Sequence, residues 1–60
     1  MDPKTVKRIR KQVGLTQAEL AANLGVHRVT IAKWEAGTLV VPKMAATLLR
    51  QYEQLRGPTR

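Results

Sequence analysis

Cysteine and phenylalanine are absent from these 60 residues, and histidine, tryptophan and tyrosine occur once each. Without thiols there is neither a disulfide framework nor a thiolate metal site, and a lone histidine cannot build a zinc centre. The core must hold the fold unaided, or with help from a second copy. Two aromatic residues, with Trp34 expected in the core, leave little to stack bases, which makes RNA a weaker choice of partner. Acidic residues number four, and each has a simpler expected place than catalysis: Asp2 and Glu19 as helix caps, Glu53 on the polar side of the last helix, and Glu35 in a contact given below. The sequence offers no facing carboxylate pair, no histidine beside a nucleophile, no phosphate-cradling glycine loop and no metal cluster. An enzyme is not expected, and no cofactor is called for. Nor does any apolar run approach the roughly 18 residues of a membrane span, and the first residues lack the apolar stretch of a signal peptide. The expectation is a soluble protein of a reducing cytoplasm, with no membrane partner.

What the chain has in excess is positive charge. Eleven Lys and Arg against four Asp and Glu leave a formal net charge of +7. So concentrated a field points to a polyanion, because contact with phosphates releases their condensed counterions. At this size only about 60% of the unfolded chain's surface can be buried. That is enough for one small domain, expected over residues 1–57, with a short tail at 58–60.

Helix signals divide the chain into four. Asp2 followed by Pro3 is a cap and a ring suited to a first turn. Val6, Ile9 and Val13 then share one face, and Gly14 is placed to end the helix. Lys4, Lys7, Arg8 and Lys11 lie opposite, either as an ordinary solvated face or in reach of phosphates. Thr16 and Glu19 have the spacing of a capping box at the start of a second helix. Leu20, Ala21 and Leu24 form its buried stripe, and Gly25 supplies a sharp turn with Val26 tucked beneath. A third helix is expected from about Arg28 to Ala36, closed by Gly37. At roughly 100° per residue, Ile31 and Trp34 fall on one side, while Arg28, Val29, Ala32 and Lys33 cluster on the other. Two long cations flanking two small apolar groups make a poor core and a good probe for a groove.

Thr38 to Val41 connects to a last helix that starts at Pro42 and is stopped near Arg56 by Gly57 and Pro58. Its apolar members, Met44, Ala45, Leu48, Leu49, Tyr52 and Leu55, span an arc of about 140°, wider than one packed face requires. Part of the arc is therefore expected to meet another subunit. Leu39, Val40, Val41, Leu49 and Tyr52 are the expected dimer interface.

The stretch Thr16 to Gly37 resembles the helix-turn-helix of the lambdoid phage repressor and Cro family, also called the XRE family. Gln17 opens its second helix, Ala21 stands at the close-contact position, Gly25 is in the turn, and Ile31 and Trp34 lie under the third helix. The resemblance covers roughly Val6 to Leu55 and implies an all-α, lambda-repressor-like domain of four helices, a fifth being left open, with a central helix-turn-helix. It implies a third helix in the major groove of double-stranded DNA, with Arg28, Val29, Ala32 and Lys33 reading bases. Gln17 stands where the family places a phosphate contact. His27 can cap the third helix or touch a phosphate, with capping favoured, and Thr30 can bond a phosphate or its own backbone. Lys43 is a further candidate for the DNA backbone. Arg10 and Glu35 border buried faces and are positions the family commonly pairs, so they are expected to form a structural ion pair.

The leading expectation is a sequence-specific transcriptional regulator, a repressor that binds an inverted-repeat operator as a homodimer, weak or stabilised on DNA, with half-sites about 34 Å or a multiple of it apart. The alternative is an antitoxin-type module that covers a toxin with its apolar arc and autoregulates its operon.

Overall fold

The computed structural model describes residues 1–56, of which Leu55 and Arg56 are placed in backbone only. Four α-helices run α1 Pro3–Gln12, α2 Gln17–Leu24, α3 Arg28–Ala36 and α4 Lys43–Arg56, and no strand occurs among the described residues. The stop signals at Gly57 and Pro58, the tail 58–60 and the side chain of Leu55 lie outside what is described.

Local chemistry accounts for most helix ends. At α2 the capping box closes: the Glu19 amide donates to Thr16 Oγ1 at 3.1 Å and the Thr16 amide to Glu19 Oε1 at 2.8 Å. Two of the four orphan donors that every helix start leaves are thereby satisfied. At α1 the expected cap differs in kind. The Asp2 side chain makes no cap hydrogen bond. Its main-chain carbonyl accepts from the amides of Thr5 and Val6 at 3.0 and 3.3 Å, and the exposed carboxylate stays with water. Between α2 and α3 the chain reverses at Gly25, whose φ of +73° lies in the left-handed region. A side chain there would be strained by about 1–2 kcal/mol even though the space around it is open. The turn is sealed by the Val26 amide donating to the Ala21 carbonyl at 2.9 Å.

The core forms where the four apolar stripes converge. α1 contributes Val6 and Ile9, α2 Leu20 and Ala21, and α3 Ile31 and Trp34, all buried. The methyl of Ala21 suits the close α2–α3 contact, the most extensive between any two helices, and α1 packs against both α3 and α4. Leu15, Leu24 and Val26 close the rim. Trp34 is only 2% exposed, so the indole stands inside. Its Nε1 finds no hydrogen-bond partner, and in this position the ring acts as apolar bulk beneath α3.

α4 corrects one expectation. Leu49 is fully buried and Val41 is 7% exposed, so both belong to the monomer's own core and neither is available to a second subunit. Tyr52 is half-buried and packs on the same core. The wide apolar arc instead splits along its length. Ala45, Leu49 and Tyr52 turn inward, whereas Met44 and Leu48, one ridge over, remain exposed along with Leu39 and Val40.

Candidate nucleic-acid interface

α3 is held from beneath and bare above. Ile31 and Trp34 anchor it in the core, and the residues about 100° or more around the helix stay out. Arg28 and Lys33 are exposed, Val29 is 42% exposed, and Ala32, between them, is half-buried. The result is a low ridge with a cation at each end and small apolar groups in the middle. Its start is fixed by His27, whose Nδ1 accepts from the Val29 amide at 3.1 Å. An accepting Nδ1 leaves the ring proton on Nε2, and the imidazole itself is exposed. The other end is closed by Gly37 and by Thr38, whose amide donates to the Lys33 carbonyl at 3.0 Å.

Three of the four acidic side chains are committed to contacts away from Arg28 and Lys33. Glu19 is in the capping box, and Glu53 pairs with Arg8 at 2.8 Å across α1 and α4. Glu35 pairs with Arg10: Nε reaches Glu35 Oε2 at 2.6 Å and Nη2 reaches Oε1 at 3.1 Å. Side-chain exposures of 12% and 7% place this pair largely out of water. The remaining Arg10 nitrogen, Nη1, donates to the Leu15 carbonyl at 3.0 Å, so one guanidinium ties α1 to α3 and to the α1–α2 connection. Burial pushes the Glu35 carboxyl up, but the hydrogen bonds from Arg10 and Gln17 and the charges of Arg10 and Lys7 outweigh it. They hold the pKa below the ordinary carboxylate value. For Arg10, the hydrogen bond to Glu35 works against burial and raises the guanidinium further.

Among the described residues no carboxylate pairs with Arg28, Lys33 or Lys43. Their charge is thus left to act outward. Gln17, at the first position of α2, is half-buried and its Nε2 donates to Glu35 Oε1 at 3.1 Å. Thr30 is half-buried on the flank of the ridge, and Lys43 is exposed at the start of α4. The Gln17–Glu35 and Arg8–Glu53 contacts had no signal in the sequence. They join positions 18 and 45 apart, respectively, and only the packing of the helices brings them together.

Among the described residues no group of His, Asp or Glu could hold a metal ion, and no helix is long and apolar enough to cross a membrane. No curated protein and no solved structure gives a match. A family model described as helix-turn-helix matches residues 6–54. That span contains the whole of α2, the turn at Gly25, α3 with its exposed ridge, and most of α1 and α4. The chain belongs to the XRE-type helix-turn-helix family, lambda-repressor- and Cro-like domains of DNA-binding transcription regulators.

Proposed function

We propose that the protein is a cytoplasmic repressor that occupies an inverted-repeat operator as a homodimer, with α3 of each copy in the major groove. The observation that carries this reading is the α3 ridge: Arg28 and Lys33 exposed and free of carboxylates above a fully buried Ile31. In the groove Arg28 donates two hydrogen bonds to a guanine, Lys33 reaches a guanine or a phosphate, and Val29 with Ala32 meets a thymine methyl. Around it Gln17, the Nε2–H of His27, Thr30 and Lys43 meet phosphate oxygens, which fix the register without reading sequence.

Backbone contacts of this kind leave a salt signature. Each neutralised phosphate contributes about 0.9 to the slope of log affinity against log salt. Lys43→Ala is expected to lower that slope by about 1 and to weaken all duplexes alike. The measurement is a fluorescence titration of a labelled duplex between low and moderate salt. An unchanged slope would remove Lys43 from the interface.

One short helix contacts only a few base pairs, so specificity needs two copies. The surface that supports pairing is the exposed strip of Val40 at 87%, Met44 at 78%, Leu39 at 45% and Leu48 at 36% exposure. It replaces Val41 and Leu49 in the expected interface. A Val40→Ser, Met44→Ser double variant should keep its fold, bind an isolated half-site as before, and lose cooperative binding to the full repeat. Retained cooperativity would place the subunit contact elsewhere. Loss of a co-purifying protein instead would favour an antitoxin-type use of the same strip.

A further inference from the structure

The Arg10–Glu35 pair locks the helices together, and one of its atoms is shared with Gln17, half-buried at the first position of α2. Glu35 Oε1 accepts from both Arg10 Nη2 and Gln17 Nε2, each at 3.1 Å. A carboxylate only accepts hydrogen bonds, so it dictates which way the Gln17 amide is turned: the NH2 group faces it and the carbonyl cannot. One N–H is then directed at Glu35, and no described hydrogen bond uses the other. A phosphate oxygen also only accepts. An amide that presented its carbonyl to the duplex would repel it, whereas an NH2 group held by an anion on one side is oriented to donate on the other.

From this geometry we infer that Glu35 is a positioning residue for DNA binding, setting the Gln17 amide as a phosphate donor while Arg10 neutralises the carboxylate that does so. The inference rests on the proposed phosphate contact of Gln17 and adds to it the reason the contact is ready before DNA arrives. Arg10 has its own part. Without the guanidinium, Glu35 would stand as an uncompensated negative charge behind the very donor that meets the phosphate. With it, the anion is satisfied on both oxygens, at 2.6 and 3.1 Å, and acts on Gln17 through hydrogen-bond direction rather than through net charge. Pre-orientation of this kind raises affinity by removing the rotamer and flip freedom that binding would otherwise have to freeze.

A test must separate positioning from both stability and charge. The double variant Arg10→Met, Glu35→Met does so: one cation and one anion are lost together, net charge stays the same, and a buried ion pair replaced by apolar groups of similar volume commonly keeps its fold. Affinity for a mixed-sequence duplex is measured with and without Gln17→Ala in the wild-type and Met/Met backgrounds, each variant first checked for helicity and melting. The expected result is that Gln17→Ala weakens binding about tenfold in the wild-type background and less than about twofold in the Met/Met background, the size of one charge-assisted hydrogen bond. An equal loss in both backgrounds overturns the positioning role and leaves the Gln17 contact standing. No loss in the wild-type background overturns the Gln17 contact itself, and the inference with it. If the Met/Met protein does not fold, the side-chain amide of Gln17 is followed by NMR in the free wild-type protein. Motion restricted relative to that of the exposed Gln12 is expected, and motion as free as that of Gln12 overturns the inference.

Discussion

Glu35→Ala is expected to remove a large share of the protein's stability. Truncating one member of a largely buried ion pair strands the other, and measured costs for such losses run about 3–5 kcal/mol. Here the stranded group is the Arg10 guanidinium, with a side chain only 12% exposed, which would keep its Leu15 contact and lose two of its three. At roughly 0.05–0.15 kcal/mol per residue, a domain of 60 residues has about 3–9 kcal/mol in all, so the loss takes a large share. The same pair gives the fold an acid limit. Because the folded Glu35 pKa lies below its ordinary value, its contribution is complete above the unfolded glutamate pKa, roughly 4.3. It drains away as pH falls through the lower folded value. Melting curves between pH 7 and pH 3 check both statements: the wild-type protein should lose stability across the acid range, and Glu35→Gln should show a flatter profile. A Glu35→Ala protein that melts with the wild type would mean that the pair contributes nothing.

Ile31→Ala is the second large effect. Ile31 is fully buried directly beneath the α3 ridge, and removing that much of a side chain from a core costs about 2–5 kcal/mol through lost burial and the cavity left behind. In so small a domain that is a large share of the total, so the variant is expected to melt well below the wild type and to bind DNA more weakly. Ile31→Val, losing one methylene, should cost about 0.5–1.5 kcal/mol and keep its affinity for DNA. Circular dichroism melts paired with duplex titrations distinguish the two. If Ile31→Ala stayed folded and bound as well as the wild type, rigid support from below would not be what presents the ridge.

The helices were legible because their punctuation is local. Thr16 with Glu19, the glycines at 14, 25 and 37, and Pro3 each act within a turn of chain, and the structure ends its helices beside them. The two sides of α3 were legible for a related reason: on so short a helix, the period alone separates Ile31 and Trp34 from Arg28, Val29 and Lys33. α4 was harder. Its apolar arc exceeds what one neighbour can cover, and periodicity gives an angle around the axis without saying which edge of the arc meets α1. The structure uses the edge bearing Leu49 and Tyr52 and leaves Met44 and Leu48 outside, so the expected subunit surface fell partly on core residues. Val41 misled in the same way, as a member of an apolar run in which Val40 is 87% exposed and its neighbour 7%. Leu15 joined the core's rim without any helical period to announce it, because it sits in a connection. The contact of Gln17 with Glu35 is a tertiary coincidence of two helix faces, and no spacing encodes it.

The central claim, that the exposed side of α3 reads base edges, is tested most directly by selecting preferred sequences from random duplex DNA with the wild-type protein and with Arg28→Ala. The wild type is predicted to recover an inverted repeat, its half-sites one helical turn or a multiple apart. The variant is predicted to show relaxed preference at one guanine in each half-site, a loss of about 1–3 kcal/mol in discrimination there, with the rest of the motif intact. The same preferred sequence from both proteins, at the same stringency, would contradict the claim.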